Sequence, residues 1–256
     1  KKSMIKVKNV SHNIGDLPIL KNVNFELPTG QIIALIGANG AGKSTLFSLM
    51  ARMNPLQDKS AHISFDGHDI STATDSDMAK VVAMLAQENH IQGRLRVREL
   101  LMFGRYPYHQ GRPTQADKDK VEEMITTFEL EPLAERFLSD LSGGQRQRVL
   151  IAMVVCQDTP YILLDEPLNN LDMYHAGRLM RQMKVLASRG KTVVIVLHDI
   201  NQASQFADTV VMMKGGEVVS VGTPKDVLTA ENMKVLYNVD VTVLMHNGKP
   251  IVVDVV

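Results

Sequence analysis

The fifteen residues QIIALIGANGAGKST, from Gln31 to Thr45, constrain this chain more than any other stretch. A compact apolar run of strand length closes at Gly37, and helical spacing begins with the residues LFSLM that follow. Between them the pattern G-x-x-x-x-G-K-[ST] is met by Gly37, Gly42, Lys43 and Ser44. The glycines Gly37, Gly40 and Gly42, with Ala38, Asn39 and Ala41 between them, let the backbone curl so that successive N–H groups face one anion. Lys43 can then reach the terminal phosphates of a nucleotide, and the hydroxyl of Ser44, with Thr45 beside it, can ligate Mg2+. A strand that feeds such a loop and then a helix predicts an α/β fold.

The rest of the chain extends that expectation. MIKVKNVSHNI and LPILKNVNFELPTG read as strands, AHISFDGHDI as a hairpin at Asp66-Gly67, and VVAMLAQ as a buried strand ending at Gln87. YILLDEP and TVVIVLHD are short apolar strands, and MYHAGRLMRQMKVLASRG is a helix stopped by Gly190. VVMMKGGEVVSVG turns at Gly215-Gly216, and residues 241–256 turn at Asn247-Gly248. Short apolar strands alternating with helices predict a parallel sheet covered by helices. Residues 88–157 differ, reading as a mainly helical insertion with Thr114 and Asp117 as a capping pair. All of this fits one domain over 1–256.

Three further positions fall at the ends of predicted strands, where α/β sheets bind their ligands. Asp165 ends YILLD, and an acid there can hold Mg2+ opposite Ser44; Glu166, next in the chain, is the natural partner of an attacking water. Gln87 and His198 end two other strands. A second glycine-rich helix start lies far downstream, in LSGGQRQR: Leu141, Ser142, Gly143, Gly144 and Gln145, then Arg146 and Arg148. Paired glycines at a helix start leave N–H groups uncovered, which suits an anion.

Composition narrows the class. Lys plus Arg number 28 and Asp plus Glu number 28, so the chain lacks the basic balance of a nucleic-acid binder. The single cysteine, Cys156, lies in an apolar helical run and is expected to be a buried thiol. KKSMIKVKNV carries charge but no apolar core of a signal peptide. The apolar runs are far shorter than a bilayer span.

Together these motifs resemble the nucleotide-binding subunits of ATP-binding cassette (ABC) transporters, over nearly the whole chain, with LSGGQ as the most specific element. The resemblance implies a P-loop NTPase core with a parallel sheet, an antiparallel β subdomain and a helical insertion that carries the signature. It implies ATP and Mg2+ as cofactors, with Lys43, Ser44 and Thr45 at the phosphates. Ser44, Gln87 and Asp165 are then expected around the metal, with Glu166 polarising water and His198 at the γ-phosphate. It further implies that Ser142, Gly143, Gly144 and Gln145 close over the nucleotide of a second copy, packed head to tail, with Asp172 at the seam. The expected partners are that second copy, two polytopic permease subunits and, through them, a substrate-binding protein, with no nucleic acid. The expected place is the cytoplasmic face of a bacterial inner membrane.

A narrower resemblance, in VRELLMFGRYPYHQGR and in residues 151–173, is to importer ATPases for iron–siderophores, haem and cobalamin, with siderophore importers nearest. The alternative is an ABC ATPase that works on nucleic acid or ribosomes; such proteins carry long coiled-coil insertions or two cassettes. The chain departs from the pattern at Ile14, where an aromatic usually stacks on adenine, with His12 nearby, and at Asn169-Asn170 before Leu171-Asp172. Leu100, Leu101 and Phe103 are expected to pack inside the insertion, whereas Tyr106 and Tyr108 are expected on its surface as contacts for the permease.

Overall fold

The computed structural model describes residues 4–91 and 93–254. In chain order it opens with β1 (Met4–Ile14), β2 (Leu17–Pro28), β3 (Ile32–Gly37), α1 (Lys43–Met50), β4 (His62–Phe65), β5 (His68–Asp69), α2 (Asp75–Met78) and β6 (Val82–Leu85). The insertion follows as α3 (Val97–Phe103), α4 (Tyr106–His109), α5 (Gln115–Thr127) and α6 (Gly143–Cys156). The core resumes with β7 (Tyr161–Asp165), α7 (Met173–Ser188), β8 (Thr192–Val196), α8 (Ile200–Phe206), β9 (Thr209–Lys214) and β10 (Glu217–Gly222). Last come α9 (Pro224–Val227), α10 (Ala230–Tyr237), β11 (Val241–His246) and β12 (Lys249–Asp254).

The central sheet runs β10-β9-β3-β8-β7-β6, parallel from β9 to β6 with β10 antiparallel at one edge. Every residue of β3, β7 and β8 is buried, because both faces of the sheet are covered; that is why these strands read as unbroken apolar runs. Alternate side chains enter two cores. Ile32, Ala34 and Ile36 face the helical side, with α6, α7 and α8, whereas Ile33 and Leu35 face α1 and a four-stranded antiparallel sheet, β2-β1-β4-β5. The turn residues Asp66-Gly67 and Asn247-Gly248 all take positive φ, the backbone that a two-residue hairpin demands.

Thr114 and Asp117 form the expected capping box on α5. The Asp117 carboxylate also accepts Arg105 Nε at 3.1 Å, and Arg105 Nη1 donates to Cys156 O at 3.0 Å. This buried pair joins α4, α5 and α6. Cys156 is fully buried, and burial pushes its thiol up to about 12. Leu100 and Leu101 are core residues as expected, but Phe103 is 56% exposed: α3 turns it away from the face that α6 covers. YPYH is itself a short helix. Tyr106 and Tyr108 are both exposed, as expected; Tyr108 also packs under the Arg105 guanidinium and donates its hydroxyl to Gln157 O at 2.8 Å.

The C-terminal hairpin β11-β12 forms its own two-stranded sheet against α8. Asn201 pairs with the Val252 backbone in both directions, at 3.0 and 2.8 Å, and Ser204 Oγ donates to Pro250 O at 2.5 Å.

Candidate nucleotide site

Parallel strands bring their carboxyl ends to one edge of a sheet. Here β3, β8, β7 and β6 are neighbours in that order, so the residues after them converge. The loop 37–42 leaves β3 between β9 and β2. A Cβ on Gly37 would lie 2.4 Å from Met213 O, and one on Gly42 would lie 2.7 Å from Leu20 Cδ2. Gly42 also holds φ +94°, so neither site tolerates a side chain. Asn39, Gly40 and Ser44 are exposed, Ala38 and Thr45 half-buried, Ala41 and Lys43 buried. Lys43 opens α1 and donates from Nζ to Gly37 O at 2.5 Å. Burial lowers its pKa, against the opposing pull of Glu166 and Asp165.

Asp165 is the last residue of β7, as the sequence predicts. It is buried, and its Oδ1 has no hydrogen-bond partner. Burial raises its pKa to about 6, with Glu166 adding to the shift and Lys43 opposing it. A buried carboxylate oxygen left without a donor, facing a lysine, is a fit for a hard cation with oxygen ligands. Among the described residues no cluster of three or more His, Cys, Asp or Glu forms a self-sufficient metal cage.

Glu166 has φ +48°, an uncommon backbone for a residue with a side chain and one that concentrates at functional sites. Its side chain is 7% exposed, and both oxygens are held. Oε1 lies 2.7 Å from His198 Nε2, and Oε2 accepts Asn169 Nδ2 at 2.9 Å. The sequence placed Gln87 and His198 on the last residues of strands; each lies two residues beyond, since β6 stops at Leu85 and β8 at Val196. The extra residues carry both side chains out of the sheet toward the open edge. Gln87 lines a cleft of about 550 Å3 together with Glu166, Gly143, Arg146 and Asn169.

LSGGQ opens α6. Ser142 is its N-cap: Ser142 Oγ accepts Gln145 N–H at 3.3 Å, and Gln145 Oε1 accepts Ser142 N–H at 3.1 Å. The serine hydroxyl keeps its own proton for a ligand. Gly143 is exposed, with open space where its Cβ would be; a Cβ on Gly144 would press on the His175 ring at 2.9 Å. Among the described residues Ser142 has no hydrogen bond to residues 37–45. The fold therefore gathers Lys43, Asp165, Glu166, His198 and Gln87, and leaves Gly143 at the start of α6 open on the same cleft, with Gly144 packed against His175.

Asp172 caps α7, its Oδ1 accepting His175 N–H at 2.8 Å and lying 2.8 Å from His175 Nδ1. Gln147 Nε2 donates to Pro167 O at 2.9 Å, and Arg146 Nη1 to Asn89 Oδ1 at 3.2 Å. Sequence reasoning missed these ties and missed Asn169. A signal existed for Asn169 alone: it sits three residues after Glu166, close enough for a turn to return its side chain. Ile14 is 61% exposed at the tip of β1, and His12 Nδ1 is buried without a partner.

Residues 20–169 match a family profile described as ABC transporter. The petrobactin import ATP-binding protein of Bacillus subtilis (strain 168) is 41% identical over 241 residues, covering 94% of this chain and 95% of that protein. The ferric enterobactin transport ATP-binding protein of Escherichia coli (strain K12) is 35% identical over 245 residues, 93% and 89% of the two chains. In fold, the chain superposes on an ABC transporter solved in an inward-facing conformation with a TM-score of 0.85 at 24% identity, covering 100% of this chain and 98% of that one. With the phosphate loop, the paired acids and the glycine-rich helix start in place, the chain belongs to the ABC transporter family, among its ATP-hydrolysing subunits.

Proposed function

We propose that this subunit hydrolyses ATP to ADP and phosphate to drive import of an iron(III)–siderophore. The observation that carries the catalytic part is the buried Glu166 carboxylate, held at both oxygens at the edge where Lys43 and Asp165 converge. The N–H groups of residues 37–45 and the Lys43 ammonium bind and neutralise the triphosphate. Glu166 orients water for in-line attack on the γ-phosphorus, and His198 steadies that carboxylate and the γ-phosphate beside it. Ser44, Asp165 and Gln87 would hold Mg2+, which supplies charge neutralisation on the phosphates.

The glycine-rich start of α6 is supplied to the nucleotide of a second copy. Its outward presentation, with Ser142 bonded only within its own capping box, supports this reading. The assembly is then a head-to-tail homodimer on two polytopic permease subunits, served by a substrate-binding protein. None of the described helices is long and apolar enough to cross a membrane. In this reading the subunit attaches peripherally, on the cytoplasmic face of the inner membrane. Exposed Tyr106 is the contact we assign to the permease.

Relatives named for petrobactin and ferric enterobactin support the siderophore cargo. Uptake of radioactive iron by cells lacking this subunit tests it. Restoration of siderophore-bound iron uptake by the parent chain, and not by Glu166→Gln, is expected. Restoration of haem or cobalamin uptake alone would move the cargo to those classes.

A further inference from the structure

We propose that Asn169 is a positioning residue for the hydrolytic carboxylate, an inference that rests on the role given to Glu166 above. Three observations carry it. Glu166 is buried, so each carboxylate oxygen needs a partner, and only one oxygen meets His198. The other accepts the Asn169 amide at 2.9 Å. The backbone at Glu166 is left-handed, which brings the chain round so that the residue three positions on faces the carboxylate.

The amide is not needed for the turn itself. Asn169 N–H already reaches Glu166 O at 3.3 Å, and that bond is indifferent to the side chain. Asn169 is otherwise exposed, and fixing an exposed side chain costs rotamer entropy. Its donor is spent on a charged acceptor, where hydrogen bonds are strongest. With His198 Nε2 against one oxygen and the Asn169 amide donating to the other, the carboxylate plane is set by contacts from two different strand ends. Losing either lets it rotate. A rotated carboxylate still lies beside the γ-phosphate but no longer aligns the water, so the cost falls on the chemical step and not on ATP binding.

Two variants separate positioning from turn-making. Asn169→Asp keeps shape and turn preference but replaces the donor with a second carboxylate; Asn169→Leu keeps approximate shape, removes the donor and adds no charge. Steady-state ATP hydrolysis, ATP affinity and thermal stability are measured on the full chain. We expect kcat to fall by about ten-fold or more in both variants, as for loss of a hydrogen bond to a charged group, with KM, ATP affinity and Tm close to the parent. In a Glu166→Gln background neither change should lower the residual rate further, because the acceptor charge has already gone. Parent-like kcat in both Asn169 variants, beside an inactive Glu166→Gln, would overturn the proposal alone. Parent-like kcat in Glu166→Gln would overturn the Glu166 assignment and the proposal with it.

Discussion

Glu166 and Asp165 are adjacent in sequence and opposite in circumstance. Asp165 has an orphaned oxygen and a pKa raised to about 6, whereas Glu166 has a close nitrogen partner on each oxygen. Asp165 is the last residue of β7, and the left-handed φ of Glu166 turns the chain out of the strand there, so the two carboxylates meet different partners. Replacing Glu166 by Gln keeps size and hydrogen bonding but removes the charge. Turnover should fall by about 10² to 10⁴ while ATP still binds, which a paired ATPase and nucleotide-binding assay checks. A second prediction concerns Cys156. With its thiol buried and pushed up to about 12, it should resist alkylation at pH 8 in the folded chain and react quickly in denaturant, as mass spectrometry would read. The residues just discussed were legible in the sequence because each ends a buried run or sits in one. Asn169 was only partly legible: its spacing from Glu166 permits the contact, but the backbone angle that makes it is one no residue type announces.

Helix starts show the same division at the next scale. Thr114 with Asp117 declared α5 correctly. The segment 224–237 went unread, although Thr223-Pro224 with Asp226, and Thr229 before Ala230, are ordinary N-cap signals; α9 and α10 are only four and eight residues long and carry little periodicity. Phe103 was misplaced for a related reason: helical spacing fixes which residues share a stripe, but not where the covering helix ends. The start of α6 is packed against the start of α7 through Gly144 and His175, and His175 is itself held by Asp172. Gly144→Ala should therefore press on the imidazole and strain that tie, lowering stability by about 1–3 kcal/mol. Adding His175→Ala should recover most of the loss. Urea unfolding of the single and double variants checks both, and an additive double variant would place the strain elsewhere.

For the whole molecule, the alternation of short apolar strands with helices announced the parallel sheet but not its order. Of the four strands expected to be buried, β3, β7 and β8 are buried throughout, whereas β6 lies at the sheet edge and is only half-buried, because one of its sides has no neighbouring strand. Pairing between strands far apart in sequence, such as β1 with β4, was not legible, since register is set by contacts that no local window contains. If the glycine pair of α6 serves a second copy, a Ser142→Arg chain and a Lys43→Ala chain are each inactive alone. Mixed, they should regain up to about a quarter of parent activity, from the half of dimers that are mixed and the single intact site in each, by the pairing statistics of a two-fold assembly. Full activity in a strictly monomeric preparation would refute the composite site. The hairpin clamped to α8 bears on how firmly that helix is held. The helix that starts two residues after His198 is gripped by Asn201 and Ser204, bonded to Val252 and Pro250 of β12. A change that loosens β12 therefore loosens the grip on that helix, and the hairpin and α8 should lose amide protection together in hydrogen exchange.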